Sequence, residues 1–253
     1  VPLYNEAESL PELCSWIDRV MKENAFSYEM IFVNDGSNDN SWEVLKQLST
    51  QYSSLQAISF ARNYGKSAAL HEGFTKASGQ VVITMDADLQ DSPDEIPELY
   101  RLITEENYDL ISGWKQKRFD PLSKTIPTKL YNAATRKLSG VKLNDFNCGL
   151  KAYKLEVVKT IRLYGEMHRF IPAWLATVTT PRRIAQEPTT HHARTAGVSK
   201  YGISRTFRVI LDLIAVFYFM RFRARPGHFF GGIGLGLTAL SGLIMVWLAW
   251  VKF

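Results

Sequence analysis

Residues 80–93 read QVVITMDADLQDSP, an apolar run that leads directly into three aspartates. A continuous apolar run of this length, bounded by turn-forming residues, predicts a buried strand over Gln80–Met85. Ser92 is a candidate helix N-cap, and Pro93 fits the first turn of the helix that follows. A buried strand followed by a helix is the repeating unit of a parallel α/β sheet.

The same alternation continues on both sides of this stretch. The other predicted strands are Glu29–Val33, Leu55–Phe60 and Asp109–Ser112, and the predicted helices include residues 41–52 and Lys66–Lys76. We therefore predict a doubly wound, mostly parallel, Rossmann-like α/β sheet, whose ligands bind at the carboxyl ends of its strands.

The composition excludes several classes of protein. The chain has 253 residues, of which 46% are hydrophobic and 22% charged, so it is neither disordered nor collagen-like. Its two cysteines, Cys14 and Cys148, are too far apart for a Cys-type zinc site, and they favour a reducing compartment over a disulfide scaffold. The chain begins at Val1, inside a predicted first strand, and is interpreted as a piece of a longer polypeptide.

Charge is distributed unevenly along the chain. Residues 1–112 carry 19 acidic and 7 basic side chains, whereas residues 113–253 carry 6 acidic and 23 basic ones. The acidic half suits a divalent cation, and the basic half suits phosphate, nucleic acid or an anionic membrane surface. The alternative is that both sets form ordinary solvated faces.

The C-terminal region has the pattern of a membrane protein. Residues 229–251 contain no charged side chain, and a helix of that length spans about 34 Å, enough to cross a hydrocarbon core. Arginines precede this span, which by the positive-inside rule places the preceding chain in the cytoplasm. Residues 203–220 are apolar but interrupted by charges, and they predict a helix lying in the membrane interface, the alternative being a plain domain helix. The predicted units are a catalytic domain (1–200), an interfacial helix (201–226) and a transmembrane helix (227–253), after which we expect a second span in the longer polypeptide.

Polar residues follow three of the predicted strands. Asp86 and Asp88, one residue apart, can both reach a Mg²⁺ or Mn²⁺ ion, and Gln90 can add an amide oxygen. Tyr4 can stack against a base, and Asp35 can accept hydrogen bonds from a base or a ribose. Read separately, each segment is also consistent with an ordinary polar turn.

Taken together, these segments resemble the family-two glycosyltransferases of the GT-A fold, and more narrowly the polyprenyl-phosphate sugar transferases. The resemblance covers the whole chain. The segments that carry it are VPLYNE at 1–6, VNDGSNDNS at 33–41, ARNYGKSAAL at 61–70, MDADLQDSP at 85–93, DFNCGLK at 145–151 and HHARTAGVSKYG at 191–202. DFNCGLK departs from the family pattern, because Lys151 stands where many relatives have arginine. GWK at 113–115 likewise replaces a common G-S-R, with Lys115 in place of arginine, and lysine cannot form a bidentate phosphate clamp.

The resemblance implies a role for particular residues. The donor, a UDP- or GDP-linked sugar, would contact Pro2, Tyr4, Glu6, Asp35, Lys66 and Asp86. Catalysis and metal binding would rest on Asp86 and Asp88, with Gln90 near the metal. Candidates for binding the acceptor phosphate are Lys115, Lys151, Arg194 and Lys200. GEMHRFIP, at 165–172, is similar to a segment of one bacterial subgroup, and His168 in it is interpreted as structural.

We therefore expect the chain to transfer a sugar, with inversion, to a polyprenyl phosphate at the cytoplasmic face of a membrane. The chain would act alone or as a homo-oligomer. The product would be a lipid-linked sugar donor for cell-surface glycans or protein glycosylation. Two alternatives stay open: a glycosyltransferase with a sugar hydroxyl as acceptor, and a non-catalytic membrane-anchored module that binds a nucleotide sugar or lipid carrier. A nucleic-acid binder would leave the apolar span unexplained.

Overall fold

The structure, a computed structural model, describes residues 1–116, 122–190, 204–222 and 224–252. In these ranges strands alternate with helices. The strands are β1 (Pro2–Leu3), β2 (Met30–Asn34), β3 (Leu55–Ser59), β4 (Val81–Thr84), β5 (Leu110–Lys115), β6 (Lys151–Lys154) and β7 (Ile184–Thr189). The helices are α1 (Leu10–Glu23), α2 (Ser41–Gln51), α3 (Lys66–Lys76), α4 (Ile96–Thr104), α5 (Leu122–Ser139), α6 (Leu155–Val158), α7 (Ile171–Leu175), α8 (Ser204–Phe222) and α9 (Pro226–Lys252).

The strands form two groups. The first has the order β1-β2-β3, and all its pairs are parallel. The second has the order β4-β6-β5-β7, in which β6 runs antiparallel to both its neighbours while β5 and β7 are parallel. The predicted mostly parallel α/β architecture is therefore confirmed, with β6 as the antiparallel member.

Two apolar clusters hold these layers together. In one, Leu10 of α1, Phe32 of β2 and Leu99 of α4 are completely buried. In the other, Tyr153 of β6 packs with Phe170, which lies in the 3₁₀ turn Met167–Phe170 before α7. Burying a large apolar side chain contributes about 1.5–3 kcal/mol, so these clusters fix the helices against the strands.

The local signals of the sequence agree with the structure around β4. The strand occupies Val81–Thr84, inside the predicted Gln80–Met85. The Ser92 hydroxyl accepts a hydrogen bond from the Asp94 amide at 3.3 Å, as expected of an N-cap, and a 3₁₀ turn over Pro93–Glu95 leads into α4.

Helix α8 packs against the second apolar cluster of the α/β domain. Val216 is 5% exposed within the second apolar cluster, and Leu213, Phe219 and Met220 pack against the same cluster. Leu211 is half exposed. The helix therefore has one face on the domain and leaves apolar surface available to a membrane interface.

Helix α9 is long and apolar enough to cross a membrane. Its most apolar 18-residue window has a mean hydropathy of 1.9, and none of that window is buried. This segment is therefore not a buried core helix. Exposed apolar side chains along its length, such as Leu235 and Trp250, are what a lipid-facing helix presents.

Candidate active site

The carboxylate of Asp86 lies just beyond β4, beside the strand β6 that pairs with it. The register of this pair sets Thr84 opposite Lys151, which brings Asp86 next to Gly149. A Cβ atom on Gly149 would lie 2.7 Å from the Asp86 carboxyl group, so a side chain at position 149 would displace that carboxyl group. The ammonium group of Lys66, the first residue of α3, donates a hydrogen bond to Asp86 Oδ1 at 2.5 Å.

The surrounding lysines keep Asp86 ionised. Desolvation by itself would raise the pKa of its carboxyl group, but Lys66, Lys115 and Lys151 together lower that pKa to about 2. Asp86 is therefore an anion throughout the neutral range, although its side chain is only about one third exposed.

Buried and partly exposed residues alternate in the turn after β4. Ala87 and Leu89 are buried in the first apolar cluster, whereas Asp86, Asp88 and Gln90 are partly exposed. Leu89 has a positive φ of 58°, and the Gln90 amide donates to Asp88 Oδ1 at 3.3 Å, so the turn is tightly folded. A left-handed conformation at a non-glycine residue is costly and is often found at functional sites. The alternation presents three oxygen-bearing side chains on one side of the turn.

The donor set of this turn fits a divalent ion that shares its coordination with a substrate. Among the described residues no three His, Cys, Asp or Glu side chains form a cluster that could hold a metal alone. Mg²⁺, however, is commonly bound by one or two carboxylates together with waters and substrate phosphates. Asp86 and Asp88 meet that requirement, since both are partly exposed and Asp86 is ionised.

The predicted nucleotide-binding residues surround the ends of β1 and β2. Asp35 accepts hydrogen bonds from the amides of Tyr64 at 2.7 Å and Gly65 at 2.9 Å, and burial raises the pKa of its carboxyl group. Pro2 lies in β1, and the Glu6 amide donates to Ser41 Oγ at 3.0 Å. The Asp35 contacts join the end of β2 to the loop that precedes α3, and the Glu6 contact joins the segment after β1 to the start of α2.

An open groove of about 320 Å³ lies beside these strand ends. Tyr4 and Arg62 line it, and the Tyr4 hydroxyl accepts a hydrogen bond from the Asn38 side chain at 3.2 Å. Gly36, with φ of 68°, lies so close to the backbone of Arg62 that a Cβ atom would be 2.4 Å from its carbonyl carbon. Asp35 lies between two residues of β2 and its turn that border the groove, and it binds the Gly65 amide next to Lys66, so Tyr4, Asp35 and Lys66 lie at the same end of the sheet.

The lysines predicted to hold an acceptor phosphate have partners within the protein. Lys115 forms an ion pair with Asp91 at 2.8 Å, and although burial opposes its charged form, Asp91 raises its pKa. Lys151 is 3% exposed and donates to the Cys148 carbonyl. Burial, together with the nearby Lys66, lowers the pKa of Lys151. The other two predicted residues, Arg194 and Lys200, lie outside the described residues.

Sequence reasoning missed His168 as a residue of this site. Its ring lines a small cavity beside Asp86, together with Lys66, Asn147 and Lys151. Burial, with the charges of Lys66 and Arg169, lowers the pKa of His168 to about 2. The spacing of residues in the GEMHRFIP segment does not indicate that a 3₁₀ turn carries the His168 side chain to the end of β4.

Comparisons with known proteins identify related sequences. Residues 1–162 match the profile of Glycosyl transferase family 2. The chain is 44% identical over 255 residues to dodecaprenyl-phosphate galacturonate synthase of Rhizobium johnstonii, covering 100% of this chain and 75% of the relative. It is 34% identical over 250 residues to undecaprenyl-phosphate 4-deoxy-4-formamido-L-arabinose transferase of Pseudomonas fluorescens, covering 98% of this chain and 73% of the relative.

The fold is also similar to that of solved structures. Glucosyl-3-phosphoglycerate synthase of Mycobacterium tuberculosis, crystallised with Mn²⁺, UDP-glucose and phosphoglyceric acid, superposes with a TM-score of 0.63. The superposition covers 87% of this chain and 77% of that one, at 18% sequence identity. At this identity the likeness concerns the fold, and it confirms the predicted GT-A architecture.

Proposed function

Because the chain belongs to glycosyl transferase family 2, we propose that it transfers a sugar from a nucleoside-diphosphate sugar to the phosphate of a polyprenyl phosphate. The observation that carries this proposal is the identity to dodecaprenyl-phosphate galacturonate synthase, which extends over the whole chain and includes α8 and α9. The chain is a glycosyltransferase of the polyprenyl-phosphate type. Its product would serve as a lipid-linked sugar donor for cell-surface glycans or protein glycosylation.

The donor would bind at the strand ends described above. Pro2, Tyr4, Glu6 and Asp35 would contact the nucleotide of a UDP- or GDP-linked sugar. Asp86 and Asp88 would hold Mg²⁺ or Mn²⁺, with Gln90 as a further oxygen donor. When bound there, such an ion neutralises the charge that develops on the departing diphosphate. Lys66, within hydrogen-bond distance of Asp86, supplies a second positive charge at the same end of the cleft.

The reaction mainly requires the protein to position its two substrates. A lipid phosphate is already ionised near neutral pH, so its oxygen can attack the anomeric carbon without a strong general base. Attack from the face opposite the diphosphate inverts the configuration of the sugar. The protein would hold the two reactants in line, which by itself lowers the barrier substantially. Lys115, Lys151, Arg194 and Lys200 remain the proposed residues for holding the acceptor phosphate.

The membrane-facing part of the chain supports a lipid acceptor. We assign residues 1–200 to the catalytic domain, 201–226 to a juxtamembrane helix and 227–253 to a transmembrane helix. The packing of Val216 and Phe219 of α8 on the domain supports a fixed connection between the site and the exposed apolar helix α9. The active site would face the cytoplasm, where nucleotide sugars occur.

The proposal is tested by sugar transfer in vesicles that contain the full chain and undecaprenyl phosphate. Labelled UDP- and GDP-sugars are offered one at a time, with UDP-galacturonate first because a relative with 44% identity is a galacturonate synthase. The expected product is a lipid-soluble sugar phosphate that forms in the presence of Mg²⁺ or Mn²⁺ and is lost in chelator. Label transferred to a sugar hydroxyl instead, or nucleotide-sugar binding with no transfer to any acceptor, would favour one of the two alternatives and contradict the proposal.

A further inference from the structure

The 3₁₀ turn Met167–Phe170 brings an unassigned histidine to the cavity beside Asp86. His168 lines this cavity together with Lys66, Asn147 and Lys151. The charges of Lys66, Asp86 and Lys151 all act on the imidazole, which agrees with that position. The side chain of His168 is 14% exposed, so the ring is largely shielded from bulk water.

Two hydrogen bonds to Ser67 fix the orientation of the ring. The backbone amide of His168 donates to Ser67 Oγ at 2.9 Å, and Ser67 Oγ lies 3.1 Å from His168 Nδ1. Among the described residues, Nδ1 is the one acceptor within reach of the Ser67 hydroxyl proton, so we assign that proton to this hydrogen bond. Nδ1 is therefore the acceptor, and the ring proton is on Nε2. Ser67 is 1% exposed and follows Lys66 at the start of α3, so this contact joins the 3₁₀ turn to the helix that carries Lys66.

The remaining ring nitrogen is a hydrogen-bond donor without a close partner in the part of the chain that the structure describes. The Oε2 atom of Glu166 lies 4.0 Å from Nε2, beyond hydrogen-bond distance, and Glu166 forms its short contact with Arg169 instead, at 2.8 Å. A largely buried donor gains most from an acceptor that the substrate brings.

The chemistry of this donor suits a sugar better than a phosphate. Burial and the adjacent cations hold the imidazole in its neutral form. Phosphates are bound mainly by cationic side chains and backbone amides, whereas hydroxyl and ring oxygens of a sugar are matched by neutral donors. The cavity adjoins Lys66 and Asp86, which the proposed function assigns to the diphosphate, and the group bonded to that diphosphate is the sugar.

We propose that His168 contacts the donor substrate, its Nε2–H donating a hydrogen bond to an oxygen of the sugar, and that Ser67 is the positioning residue that holds the ring for this contact. The inference rests on the proposed function for the presence of a nucleotide sugar at Asp86. A buried donor of this kind discriminates between sugars, because a substrate that lacks the matching oxygen leaves the donor unpaired.

Two substitutions separate the contact with the sugar from the contact with Ser67. In His168→Asn the amide oxygen can replace Nδ1 as the acceptor for Ser67, but the donor at the Nε2 position is lost. In His168→Gln the amide nitrogen can replace Nε2 as a donor, but the acceptor for Ser67 is lost. Dissociation constants are measured for UDP-galacturonate and for UDP, the same nucleotide without its sugar, with the full chain in detergent.

We expect His168→Asn to weaken UDP-galacturonate binding about tenfold or more and to change UDP binding less than twofold. His168→Gln should retain more of the affinity for the nucleotide sugar than His168→Asn. The proposal is overturned if His168→Asn binds UDP-galacturonate like the wild type, or if it weakens binding of UDP and UDP-galacturonate equally.

Deoxy analogues of the sugar provide a readout that a purely structural role would not affect. Among UDP-sugars that each lack one hydroxyl, one analogue should bind the wild type less well than its parent, and His168→Asn should not distinguish these two ligands. If the variant discriminates among all the analogues as the wild type does, His168 does not contact the sugar. These measurements need no lipid, so a failure of transfer to undecaprenyl phosphate and a failure of the His168 contact are separately visible.

Discussion

Asp86 and Asp88 are brought to the same side of one turn because the residue between them, Ala87, is buried. We predict that Asp88→Asn lowers sugar transfer about a hundredfold or more, since the loss of one metal-binding carboxylate removes several kcal/mol of stabilisation from the transition state. The substitution lies at a partly exposed position and should leave the thermal unfolding midpoint nearly unchanged. Initial rates at several Mn²⁺ concentrations measure the effect.

Asp94→Asn is a matched control for this substitution. Asp94 is about half exposed and pairs with Arg19 at 3.1 Å, an ion pair of a kind that is worth less than about 1 kcal/mol. The rate of sugar transfer by the Asp94→Asn variant should equal that of the wild type. Full activity of Asp88→Asn, or activity that persists in chelator, would contradict the metal assignment.

His168 makes the stability of the fold depend on pH. Its pKa is lowered to about 2 by burial and by nearby charges, against an ordinary value near 6.5. Between these values the unfolded chain binds a proton that the folded chain does not, so the free energy of unfolding decreases as the pH is lowered from about 6.5. The charged groups that act on the ring are Lys66, Asp86, Lys151 and Arg169, with Glu166 4.0 Å away.

We therefore expect His168→Gln, which cannot titrate, to lose less thermal stability than the wild type between pH 7.5 and pH 5. Unfolding midpoints of both proteins in detergent at several pH values test this. Parallel curves would show that the imidazole is not held neutral by the fold.

Individual residues differ in how far the sequence reveals them. Asp35, Asp86 and Asp88 were predicted because each follows an apolar strand, and strand ends meet at one edge of an α/β sheet. The sequence does not predict the partner of Lys115. Lys115 pairs with Asp91, and these two positions come together only through the packing of β5 beside the turn after β4. His168 was missed for the same reason.

Secondary-structure elements with strong local signals were predicted most closely. Helix α3 occupies Lys66–Lys76 as expected, and it begins directly after Gly65, whose φ of 93° suits only glycine. Strand β6 was not predicted because KAYK is four residues long and includes two lysines. What makes it a strand is non-local: it completes the sheet between β4 and β5.

Helix α8 couples the membrane-facing part of the chain to the catalytic domain through its buried face. We predict that Val216→Ala lowers the free energy of unfolding by about 1–2 kcal/mol, since it removes two buried methyl groups. Ile214→Ala on the same helix is the control, because Ile214 is half exposed and its loss should cost much less. Denaturant unfolding in detergent compares the two variants. Equal effects would mean that α8 does not use this face to pack on the domain.

At the scale of the whole molecule, the charge distribution and the apolar helix point to the same arrangement. The acidic first half contains Asp86 and Asp88, and the basic second half leads into α8 and α9. A negatively charged lipid phosphate would thus meet the basic half, while the divalent ion would be held by the acidic half. The exposure of every residue in the most apolar window of α9 fits a helix surrounded by lipid.

The orientation of the molecule in the membrane is the last prediction. Arg221 and Arg225 precede α9 and Lys252 ends it, so the positive-inside rule places residues 1–225 in the cytoplasm and Lys252 at the opposite face. Labelling of single introduced cysteines with a membrane-impermeant maleimide tests this. The native background is low, because Cys14 and Cys148 are buried and burial raises the pKa of both thiols to about 12.

Ser49→Cys and Lys252→Cys are suitable reporters, since both positions are exposed and they lie before and at the end of the membrane helix. In sealed vesicles with the cytoplasmic face outward, we expect Ser49→Cys to react at once and Lys252→Cys to react only after detergent is added. Vesicles of the opposite orientation should reverse the pattern. Labelling of Ser49→Cys only from the non-cytoplasmic side would overturn the topology, and labelling of both variants from one side would show that α9 does not cross the membrane. The first of these results would separate the catalytic cleft from the cytoplasmic nucleotide sugars that the proposed reaction requires.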